Sequence, residues 1–71
     1  MKEVKRKAEV GEYIRITNVK DPMGRYDVGT IMHVADTWSC WVYVDIYNPG
    51  YGRLIHDDEY VVLEDYQPDG E

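Results

Sequence analysis

The sequence predicts an all-β chain: five short strands closed into a small barrel, with a long first loop and a 3-10 turn before the last strand. Three observations carry this. The clearest segments alternate apolar and polar residues, the period of a strand with one buried face. Gly, Pro, Asn and Asp recur between those segments, where turns need them. No stretch sustains a helical period, and closing five strands into a barrel removes the edges that a flat sheet would expose.

The elements follow in order. Residues 1–9 hold Lys2, Lys5, Arg6 and Lys7, four of the eight Lys and Arg of the chain, and little apolar material. The stretch is too short for a stable free helix and reads as a mobile basic arm. The barrel spans residues 10–65. Tyr13-Ile14-Arg15-Ile16-Thr17 alternates and forms the first strand. Residues 18–29 are the long loop: Asp21-Pro22 starts a turn, and Gly24 and Gly29 permit positive φ. Thr30 to Ala35 is the second strand. Asp36-Thr37-Trp38-Ser39 links it to Cys40–Ile46, with Cys40, Val42, Val44 and Ile46 on the core face and Trp41, Tyr43 and Asp45 on the other. Asn48-Pro49-Gly50 fits a type II turn. Arg53 to His56 is a short fourth strand, and Tyr60 to Glu64 the fifth. Asp57-Asp58-Glu59 between them reads as a 3-10 turn with carboxylates near its first amides. Residues 66–71 form an acidic tail. The expected core is Ile14, Ile16, Ile31, Val34, Val42, Val44, Ile46, Leu54, Val62 and either Val28 or Leu63.

Composition narrows the function. The 71 residues are 44% hydrophobic, too apolar for a disordered chain. A chain of roughly 60 residues buries only about 60% of its unfolded surface, which leaves little room for a core plus a deep substrate cleft. The net charge of −6 argues against direct nucleic-acid binding, which needs uncompensated Lys and Arg. The basic start lacks the apolar run of a secretory signal. The apolar runs are too short for a membrane span, and one cysteine makes no internal disulfide. These point to a cytoplasmic protein with no membrane partner.

No catalytic residue, metal or cofactor is expected. Cys40, His33 and His56 show no metal-ligand spacing, and a cysteine on a core face is usually a small inert hydrophobe. Asp57, Asp58 and Glu59 offer oxygens for a cation, but a solvated cap explains them better. Two features point instead to binding. Seven Tyr and two Trp with no Phe put polar-edged rings at the surface. Trp41 and Tyr43 face outward on the best strand, Trp38 lies on the adjoining turn, and Tyr47 and Tyr51 flank the Asn-Pro-Gly turn. The second feature is charge: residues 57–71 hold seven acidic groups and no basic one.

The order of segments Gly11 to Ile16, Gly24 to Val34, Val42-Tyr43-Val44 and Glu59 to Glu64 resembles small barrels of the Src-homology-3 type. It is most similar to short phage and prophage proteins and to KOW-type barrels. The resemblance covers residues 11–65. It implies an SH3-like fold and a non-catalytic protein that binds a host protein or protein–nucleic-acid complex with a basic surface, inhibiting or modulating nucleic-acid handling or defence. Trp38, Trp41, Tyr43, Tyr47 and Tyr51 would anchor that partner, and Asp57, Asp58 and Glu59 would steer it. One alternative is a nucleic-acid-binding barrel that uses Lys2, Lys5, Arg6, Lys7 and Arg25 for phosphates. Another is a self-associating phage structural component; the oligomeric state is left open.

Overall fold

A computed structural model describes residues 2–20, 26–45 and 52–67. It is all-β, with six strands: β1 (Lys2–Val4), β2 (Tyr13–Ile16), β3 (Ile31–Thr37), β4 (Trp41–Asp45), β5 (Gly52–His56) and β6 (Tyr60–Glu64). A 3-10 turn, Asp57–Glu59, precedes β6 as the sequence predicted. The strands form one antiparallel sheet in the order β1-β6-β2-β3-β4-β5. β1 and β5 are its edges, so the hydrogen-bonded ladder is open rather than closed, and it has one strand more than expected.

The inner face is apolar. Ile14 and Ile16 on β2, Val34 on β3, Val42 and Val44 on β4, Ile55 on β5 and Tyr60 and Val62 on β6 are fully buried. The ladders explain why these residues share a face. Ile14 stands opposite Val62, Val34 opposite Val44 and Val42 opposite Ile55, and directly paired side chains point the same way.

Several expected core positions are corrected. Leu54 is half exposed and Ile55 takes its place; two adjacent apolar residues carry no parity of their own, and pairing with Val42 decides between them. Ile31 turns outward and Met32 inward, because period 2 back from Val34 puts Met32 on the core face. Val28 is exposed at 61%, while Leu63 is buried at 3%, outside the main cluster and opposite Glu3 and Tyr13. Cys40 is exposed in a tight hairpin closed by the Trp38 amide donating to the Trp41 carbonyl at 2.9 Å. Ile46 lies outside the described residues.

The segment expected to be a mobile arm is ordered over residues 2–9. β1 pairs with β6, with Lys2 opposite Glu64 and Val4 opposite Val62. Residues 5–8 then cross the end of the sheet as a strap. Lys5 Nζ donates to the Asp57 and Tyr60 carbonyls at 3.0 and 2.8 Å. Arg6 grips both oxygens of Glu12, at 2.9 and 2.7 Å, and reaches Glu64 at 3.1 Å. Lys7 Nζ donates to both Asp57 carboxylate oxygens and to the Trp41 carbonyl, each at 3.1 Å. Ala8 is buried in the core, and its amide donates to the Tyr60 hydroxyl at 3.1 Å. That hydroxyl donates to Asp57 at 2.8 Å, and burial pushes its pKa up to about 12. Lys5, Arg6 and Lys7 are therefore not free cations: the sheet end supplies their acceptors.

The first loop is pinned at its neck. The Ile16 amide donates to the Thr30 carbonyl at 2.9 Å and the Gly29 amide to the Ile16 carbonyl at 2.7 Å. Gly29 has a φ of 98°, and a Cβ there would meet nothing within 4 Å. The cost of a side chain is backbone strain alone, so Gly29→Ala is expected to lower stability by about 1 kcal/mol. A urea unfolding curve indistinguishable from wild type would refute that cost.

Candidate protein-binding surface

Register decides which side chains face outward. Trp41 pairs with His56 and Tyr43 with Leu54 across β4 and β5. These four therefore share the face opposite Val42, Val44 and Ile55. Trp38, Trp41 and Leu54 are 50, 40 and 50% exposed. The Trp38 and Tyr43 rings meet edge to face at 6.4 Å, and Trp41 stacks on His56 in the same way at 5.3 Å. Rings held by such contacts lose little further freedom when a partner covers them.

A cleft of about 300 Å³ opens beside Trp41, Leu54 and His56, with Lys20 and Tyr26 of the first loop on its other side and Glu59 at its base. Glu59 holds that arrangement together. It is buried at 3% exposure. One carboxylate oxygen accepts from the Tyr26 hydroxyl at 2.5 Å and the Lys20 amide at 3.3 Å; the other accepts from the His56 amide at 3.1 Å. The Glu59 carbonyl accepts from the Thr17 and Asn18 amides at 2.8 and 3.3 Å. His56 caps the 3-10 turn, its Nδ1 accepting from the Asp58 amide at 3.2 Å.

No family model, curated protein or solved structure matches the chain.

The aromatic half of the expected site comes together: Trp38, Trp41 and Tyr43 lie on one face, joined by Leu54, which the sequence had assigned to the core. Tyr47 and Tyr51 lie outside the described residues. The acidic half does not survive as a steering edge. Glu59 is buried and consumed by the first loop, and Asp57 is taken by Lys7 and Tyr60. Asp58 is exposed but paired with Lys20 at 3.2 Å, which holds its carboxyl below the usual range. The reason is chain reversal: β5, the turn and β6 bring these carboxylates against the basic strap and the first loop.

Most cations among the described residues are engaged too, while Arg25 lies outside those residues. Arg6, Lys7, Arg15 and Lys20 each pair with a carboxylate, and Lys5 is bound to main-chain carbonyls. Arg53 stacks over the Tyr26 ring at 5.6 Å. Of the groups weighed for chemistry, His33 packs on Tyr13, His56 packs on Trp41, and Cys40 stands apart on the hairpin. Among the described residues no helix is long and apolar enough to cross a membrane.

Proposed function

We propose that this chain is a non-catalytic protein-binding module, an SH3-like small barrel of the phage or prophage type. It would act by covering a basic surface of a host protein or protein–nucleic-acid complex. The phage assignment and the inhibitory or anti-defence role rest on the resemblance in segment order alone. The barrel reading is supported by the long first loop, the β2-to-β6 order and the 3-10 turn.

One observation carries the binding reading: Trp38, Trp41, Tyr43 and Leu54 form a contiguous outward face, with rings braced against their neighbours. Large, rigid aromatic groups gathered at one exposed place are the usual anchors of protein interfaces. The engagement of Arg6, Lys7, Arg15 and Lys20 with carboxylates favours this over the nucleic-acid alternative, because binding phosphates there would require breaking internal pairs.

The test is affinity capture from bacterial lysate with wild type and a Trp41→Ala, Tyr43→Ala double variant, both confirmed folded by circular dichroism. The variant is expected to lose the specifically captured protein. Retention of every captured protein by the folded variant sinks the reading.

A further inference from the structure

The register between β3 and β4 slips once. Val34 stands opposite Val44, yet the next paired residue on β3 is Asp36, opposite Tyr43, and Thr37 then stands opposite Val42. Ala35 is the extra residue of a β-bulge. In a regular ladder Ala35 would face Tyr43, and Asp36 would turn inward opposite Val42, which is fully buried. The bulge keeps a charge out of the core and places it on the aromatic face beside Tyr43; bulges commonly re-aim side chains in this way.

Asp36 is exposed there. One of its oxygens accepts from the adjacent Thr37 amide at 2.8 Å, and no cation among the described residues pairs with it. Trp38, two residues on and half exposed, meets the Tyr43 ring edge to face. A carboxylate with no cation partner among the described residues thus stands opposite Tyr43, whose ring meets a half-exposed indole. A guanidinium satisfies both at once, lying flat on the ring and forking its N–H groups to the carboxylate.

We propose that Asp36, Trp38 and Tyr43 form a subsite for an arginine side chain of the protein partner. This rests on the protein-binding reading above and deepens it. The charge that meets a basic partner is Asp36, on the aromatic face itself, in place of the Asp57 to Glu59 turn.

The probe is the blocked peptide acetyl-Gly-Arg-Leu-Arg-Gly-amide, titrated into the ¹⁵N-labelled chain and followed by NMR. A citrulline peptide of the same shape but without charge is the control. Saturable shifts are expected at the Trp38 indole N–H and the Asp36 and Tyr43 amides, and the citrulline peptide should bind more weakly. Asp36→Asn should weaken arginine binding about threefold, the size of an exposed ion pair. Asp65→Asn removes the same charge elsewhere and should leave binding unchanged. Equal losses in the two variants would mean diffuse attraction to an acidic protein and would overturn the subsite. So would equal binding of the citrulline peptide, or shifts centred away from Trp38. The two proposals fail separately. An unaffected Asp36→Asn removes the subsite and leaves the binding face, whereas lysate capture that survives Trp41→Ala, Tyr43→Ala removes the face itself.

Discussion

Glu59→Ala is expected to lower the unfolding free energy by about 3 kcal/mol, a large share of the roughly 5 kcal/mol typical of a small domain. The carboxylate is buried and accepts from Tyr26, the Lys20 amide and the His56 amide. Removing it leaves three donors without their acceptor: the buried Tyr26 hydroxyl and the part-buried Lys20 and His56 amides. Each hydrogen bond to a charged acceptor contributes about 1.5–3 kcal/mol, and the three are not additive. Glu59→Gln keeps one acceptor oxygen but turns an NH₂ toward the remaining donors, so it should fall between alanine and wild type. The measurement is urea unfolding at neutral pH. An alanine variant within about 0.5 kcal/mol of wild type, the ordinary effect of a surface substitution, would show that the first loop is anchored by something else. The same substitution should widen the cleft beside Trp41, since Tyr26 and Lys20 lose the group that draws them to the 3-10 turn.

Deleting residues 2–9 is expected to abolish cooperative folding. The deletion removes β1 and exposes the flank of β6, which pairs with it from Val62 to Glu64. It takes Ala8 out of the core and leaves the Tyr60 hydroxyl without the Ala8 amide. It also strips Lys7 from Asp57 and Arg6 from Glu12 and Glu64. A core this small has little to spare. Arg6 holds the Glu12 carboxyl below the usual range, chiefly through their hydrogen bonds. The contribution of that carboxylate is complete above the ordinary glutamate pKa of about 4.3. It is lost as the pH falls through the lower folded-state value. The truncated chain should give a collapsed amide NMR spectrum and no sharp thermal transition. A dispersed spectrum and a melting temperature within about 5 °C of the full chain, a change of about 1 kcal/mol, would make the strap dispensable.

The strap shows how far local sequence reaches. Lys2 to Lys7 looks like a solvated arm because most acceptors of its cations lie far away in sequence. Glu12 is six residues from Arg6, but Asp57, Glu64 and the Tyr60 carbonyl lie fifty or more residues from the cations they hold. The acidic turn is the same case seen from the other side. Three consecutive carboxylates look like a free negative edge until the fold hands each one a donor. β2 and β4 were legible because their apolar residues alternate with polar ones, so parity is written into the segment. β5 was not, because Leu54 and Ile55 are both apolar and only the ladder chooses between them. Asp36 was missed for a related reason: a bulge leaves no mark in an alternating pattern, and one extra residue moves a side chain to the other face of the sheet.

By itself the sequence determined the all-β class, the alternation of β2 and β4, the 3-10 turn before the last strand, and the outward place of Trp38, Trp41 and Tyr43. These depend on periodicity and turn chemistry, which act over a few residues. Tertiary structure decided the sixth strand, the open sheet, the inward choice of Ile55 over Leu54, and which charges remain unpaired. Those depend on pairing between segments distant in the chain, where register and electrostatic complementarity are set by the whole fold.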